Sequence, residues 1–179
     1  MSQWQIEGAH FGERFQLFVI IALGESVVLA LLSSTALWWL YFGEVAGAVL
    51  ERIRGATAEE RGQIGRDIYT YLHLPIVAGI VLVAVGDELV IAHPTDELHA
   101  SGALVALGGT ALFLAGLMAC AARIGQTRRA PRAAVIVALL AAVPLAAGAD
   151  GLLVSALLTV LLVALVVAEQ LRGRTRAWA

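Results

Sequence analysis

Residues 69–92, YTYLHLPIVAGIVLVAVGDELVIA, decide the fold. No Asp, Glu, Lys or Arg interrupts them before Asp87. Crossing a bilayer core of about 30 Å takes about 20 helical residues, so the run reads as a membrane span. Working outward, similar apolar runs cover residues 15–42, 102–122, 133–149 and 151–168. The last two are parted only by the turn around Gly148, Asp150 and Gly151, which makes them a tight helical hairpin. The expected fold class is therefore all-α: one polytopic membrane domain over residues 1–179 with five transmembrane helices.

Composition narrows the function classes. Apolar residues make up 60% of the chain without counting Gly, against about 45–50% with Gly in soluble domains. A net charge of -2 supplies no basic field, so nucleic acid is excluded as a partner. The single cysteine, Cys120, excludes an internal disulfide and a multi-cysteine metal site. No cofactor motif is present.

All 12 basic residues are Arg, and they alternate along the chain. Arg52, Arg54, Arg61 and Arg66 follow the first run; Arg123, Arg128, Arg129 and Arg132 follow the third; Arg172, Arg174 and Arg176 close the chain. The connections after the second and fourth runs carry none. Positive loops stay in the cytoplasm, which places the N-terminus outside and the C-terminus inside. Trp38, Trp39 and Tyr41, with Tyr69 and Tyr71, fall where a cytoplasmic aromatic belt belongs. An outside start without a signal peptide implies further helices upstream. Over residues 44–58, Val45, Val49 and Ile53 recur every four residues, reading either as a short interfacial helix or as a solvated connector.

Two glycine rows repeat every seven residues: Gly79 and Gly86, then Gly102, Gly109 and Gly116. Small residues in rows let helices in lipid approach closely, so these are expected packing faces. Pro75 and Pro144 lie inside spans, where each frees a backbone carbonyl.

Polar residues within the runs are expensive and therefore candidates for function. Glu25, beside Ser26, is expected at depth in the first span, either as an ion or proton site or in an interhelical hydrogen bond. His10, Arg14 and Glu25 share one helical stripe, with Glu13 beside it. In the second span, His73 and Asp87 lie on nearly one face, next to Glu88, either as ends of a relay or as interfacial and solvated residues. His93, Asp96, Glu97 and His99 in the outer connection match no strong metal motif, so no metal site is assigned. A Ser26 nucleophile served by His73 would need both at one depth, and the topology separates them, so no catalytic residue is assigned.

The segments HFGERFQLFVIIALGESVV (10–28), ALWWLYF (36–42) and YLHLPIVAGIVLVAVGDELVIAHP (71–94) together resemble the bacterial low temperature requirement A (LtrA) family. The resemblance is carried by the first half of the chain, the Ala-rich remainder matching by hydropathy. It implies a multi-pass protein of the bacterial inner membrane, linked to growth in the cold. Its motif positions here would be His10, Glu13, Arg14, Gly24, Glu25, Ser26, Trp38, Trp39, His73, Pro75 and His93. Gly43 and Glu44 stand where the family usually has Asp. Family proteins are longer, and this chain resembles their C-terminal half. The expected function is a proton- or cation-coupled permeation component, not an enzyme, in a homo-oligomer or with additional helices. The alternative is a non-catalytic membrane protein acting through lipid or partner-helix contacts.

Overall fold

A computed structural model describes residues 8–94, 96–126 and 130–177, with the side chains of residues 8–20, 22, 23, 44 and 173–177 left out. The described residues are mostly helical, with no strand beyond one isolated bridge, Glu97 to Asp150. Helix α1 (Gly8–Leu40) passes through a π-helical stretch, Tyr41–Val45, into α2 (Ala46–Arg54). Helix α3 (Ala58–Gly65) runs through a second π stretch, Arg66–Leu72, into α4 (His73–Ala92). A short α5 (Ala100–Ala103) continues through Leu104–Gly108 into α6 (Gly109–Arg123), followed by α7 (Ala130–Ala146) and α8 (Gly151–Ala177).

Four continuous helices are long and apolar enough to cross a membrane: Gly24–Arg54, Ala58–Ala92, Ala100–Arg123 and Gly151–Arg172. The fourth expected span, over residues 133–149, is shorter, the 17 residues of α7. It also lies three residues earlier than the apolar run, because residues 147–149 fold as a turn with Gly148 at φ 85°. That turn is held from outside. Leu98 N–H donates to the Ala149 carbonyl at 2.8 Å, Gly148 N–H to the Leu98 carbonyl at 2.8 Å, and Gly151 N–H to the Asp96 carbonyl at 3.2 Å. Backbone groups that an apolar helix would satisfy internally are satisfied here by the neighbouring connection. Asp150 then opens α8 by accepting from Leu153 N–H at 2.9 Å.

Helix α6 is central. It packs along α4 on one side and against α7 on another, while α1 packs against α8 and more lightly against α4. The glycine rows explain the closest of these contacts. A Cβ on Gly79 would sit 2.6 Å from the Phe113 amide nitrogen and 2.8 Å from the Gly109 carbonyl oxygen; one on Gly116 would meet Ile76 at 2.6 Å. Gly86 faces Ala106 in the same way at 3.0 Å. All these pairs are centred near residue 95 of the chain, as an antiparallel helical pair requires. Gly102 lies one turn from this seam, buried against Leu98. Buried hydroxyls in the apolar interior bond within their own helices, Thr110 to the Ala106 carbonyl and Thr159 to the Ser155 carbonyl.

At the opposite end from the 96–98 connection, ion pairs tie the bundle together. Arg123 meets Asp67 at 2.9 Å. Arg132 of α7 grips Glu169 of α8 with two bonds of 2.7 Å, and both side chains are buried or nearly so. Arg132 lies 14 residues before the end of α7 and Glu169 lies 18 residues after the start of α8, so both sit toward the end of the hairpin away from its turn.

Candidate functional site

Proline shapes the N-terminal end of α4. Pro75 offers no N–H to the carbonyl four residues before it, and the preceding chain widens into the π stretch Arg66–Leu72. In that widened turn the His73 ring reaches back five residues, and its Nδ1–H donates to the Ile68 carbonyl at 2.9 Å. A carbonyl only accepts, so in the neutral ring the proton sits on Nδ1 and Nε2 is the acceptor. Tyr41, at the start of the other π stretch, donates its O–H to that Nε2 at 2.7 Å. The His73 ring lies between the rings of Tyr41 and Tyr69, at centroid distances of 5.7 and 5.2 Å.

Further along the same two helices, Ser33 Oγ shares its proton between the Ala30 carbonyl at 3.0 Å and Asp87 Oδ2 at 3.5 Å. Between these two polar points, α1 and α4 stand apart. The opening is a crevice of about 590 Å³ with apolar walls from Leu37, Ile76, Ile80 and Val83. Trp38 and Phe42 edge it near His73, and Asp87 and Glu88 edge it at the other end. Lightly packed α1 and α4, against the tight α4–α6 seam, are the reason the space exists there.

The structure thus sets His73, Asp87 and Glu88 on one crevice. It does not bring Glu25 to them. Glu25 is exposed, and its stripe on α1 consists of Ile21, Val28 and Leu32, all exposed as well. Gly43 lies beside Gln170, and α1 and α8 run parallel. Eighteen residues of helix rise about 27 Å, which puts Glu25 level with the start of α8 rather than at depth in the bundle. Ser26 is buried, but fifteen residues, about 22 Å of helix, separate it from Tyr41 and hence from His73. The side chains of His10, Glu13 and Arg14 lie outside the described residues. Around His93, Asp96, Glu97 and His99 there is a smaller cavity of about 310 Å³, and among the described residues no three His, Cys, Asp or Glu side chains group as metal ligands.

Three participants escaped the sequence reading. Tyr41 was assigned to the aromatic belt, and its partnership with His73 had no local signal. Ser33 follows Ser26 by seven residues on the buried stripe that continues to Leu37 and Leu40, a spacing that does mark the inward face of α1. Glu169 pairs with Arg132 about one helical turn beyond the position that an even count from the α7–α8 turn gives.

An all-helical bundle with four helices long and apolar enough to cross a membrane is the fold of an α-helical membrane protein. The family model of the bacterial low temperature requirement A proteins (LtrA) matches residues 28–167, and the chain belongs to that family. The match runs through the Ala-rich second half, where the resemblance had rested on hydropathy, and begins at the last residue of the first quoted segment. The chain is 34% identical over 133 residues to an uncharacterized protein of Rhizobium meliloti (strain 1021), covering 63% of this chain and 32% of that protein. It therefore spans about a third of the length of this curated relative. No solved structure matches.

Proposed function

We propose that the chain is a cation- or proton-coupled permeation component of the bacterial inner membrane, with the α1–α4 crevice as its path. The reading is carried by one observation: the carboxylates Asp87 and Glu88 and the Tyr41–His73 pair edge the same apolar-walled opening. A carboxylate kept within a membrane bundle is costly, and lining an ion or solute path is a use that repays the cost. Asp87 takes the central role here in place of Glu25. Orientation follows the arginines: the end with Tyr41, His73, Arg123 and Arg132 faces the cytoplasm, and the Asp96–Leu98 connection faces outward.

In sealed proteoliposomes, proton and potassium flux through the chain is expected to exceed that of empty vesicles. Asp87→Asn, which keeps size and loses charge, should lower it by about tenfold, the equivalent of about 1.4 kcal/mol. Flux unchanged by the substitution would sink the reading.

A second reading is favoured by Glu25. A carboxylate among Ile21, Val28 and Leu32 on an exposed helix face belongs against protein rather than lipid. That face would then contact a second copy or further helices, and the chain would act through partner contacts. Glu25→Gln separates the two readings: flux stays, and cross-linking between copies falls.

A further inference from the structure

A crevice of about 590 Å³ is in the range of small-molecule sites, about 300–1,000 Å³, and far larger than a bare ion needs. Its chemistry is one-sided. Among the described residues, the charged side chains on its lining are Asp87 and Glu88, both acidic, and no arginine lines it. Apart from Ser34 the rest of the wall is apolar or aromatic, including Trp38 and Phe42, whose rings lie tilted with centroids 5.2 Å apart and are exposed.

A hard divalent cation takes about 6–8 oxygen ligands. Asp87 and Glu88 fall short of that, and the described residues hold no group of three metal-binding side chains. A weakly hydrated cation with an apolar body has different needs. It gives up little hydration, buries its body along Ile76, Ile80 and Val83, and finds one carboxylate and aromatic ring faces for its charge. Asp87 is suited to that role because it is half-buried on the wall and its Ser33 contact, at 3.5 Å, is long enough to leave the carboxylate available.

We infer that the α1–α4 crevice binds an organic cation with a bulky apolar body, its charge against Asp87 and its body along the walls of α1 and α4. The inference rests on reading the crevice as a cation path, and adds the class of cation.

The test uses the full chain in lipid nanodiscs and two probes of matched shape and opposite charge, tetraphenylphosphonium and tetraphenylborate. Saturable binding of tetraphenylphosphonium is expected, weakened by more than about tenfold in Asp87→Asn and retained in Glu59→Gln on the remote surface of α3. Tetraphenylborate should show only the unsaturable partition of empty nanodiscs. Equal saturable binding of both probes, or of tetraphenylphosphonium to wild type and Asp87→Asn alike, overturns the inference. If Asp87→Asn does not fold, the comparison of the two probes on wild type decides alone. Asp87-dependent proton flux without tetraphenylphosphonium binding removes the organic cation and leaves the path; saturable, Asp87-dependent binding without any flux supports the site and removes the path.

Discussion

Gly79→Leu is expected to prevent α4 from seating on α6. Even the first carbon of the new side chain would lie 2.6 Å from the Phe113 amide nitrogen and 2.8 Å from the Gly109 carbonyl, and both obstacles are backbone. Backbone of a central helix has no rotamer to yield, so the helices must separate. Separation undoes the neighbouring contacts at Gly86 and Gly116 in the same step. Overfilling a packed interior costs about 1–3 kcal/mol for a modest addition, and Gly79→Ala should fall there. The leucine variant should exceed about 3 kcal/mol, seen as loss of the monodisperse species in detergent and of a cooperative thermal transition. Gly24→Leu, at a position where an added Cβ meets nothing within 4 Å, is the matched control and should behave as wild type. A stable Gly79→Leu protein would mean that the α4–α6 seam is looser than described.

Glu169→Ala is the second change with a large expected effect. Arg132 and Glu169 side chains are only 6% and 14% exposed, and two bonds of 2.7 Å join them. Removing the carboxylate leaves a guanidinium in a place with little water, a loss of about 3–5 kcal/mol. For a chain of this size that corresponds to a fall in the unfolding midpoint of about 10 °C. The companion experiment separates charge from packing. Arg132→Met combined with Glu169→Leu fills similar space with no charge to strand, and its midpoint should return to within a few degrees of wild type, because a buried pair and an apolar substitute are often of similar stability. If the double variant is as unstable as the single one, Arg132 serves the fold through its other contacts rather than through Glu169.

The helical membrane character was legible because it rests on summed hydropathy, to which every residue contributes. Apolar runs of sufficient length named the helices, and the seven-residue spacing of Gly79 and Gly86 named a face of α4. The Gly109 and Gly116 spacing named the face of α6 that meets it. Span ends were less legible. Residues 147–149 are as apolar as the helix before them, and only their backbone bonds to Leu98 take them out of it. Glu25 shows the limit for sites. An apolar run does not reveal which of its faces the bundle covers, and the carboxylate ten residues inside this one stands on an exposed face of α1 and away from the crevice. His73 and Asp87 were recognisable as a pair on one helix face. Their partners Tyr41 and Ser33 come from a different helix, whose crossing is set by tertiary packing that leaves no mark within either segment.

The contact between α1 and α8 joins the earliest and latest of the described helices. Some 127 residues of synthesis separate Gly43 from Gln170, which lie side by side in the finished fold. At about 5–20 residues per second, α1 must wait on the order of 6–25 s for the helix that supports it. During that interval α3 to α7 can assemble around the glycine seam, leaving Asp87 on a half-built wall. Among the described helices the α1–α8 contact is thus the last that can form, and it braces one wall of the crevice through a helix that contributes none of the lining.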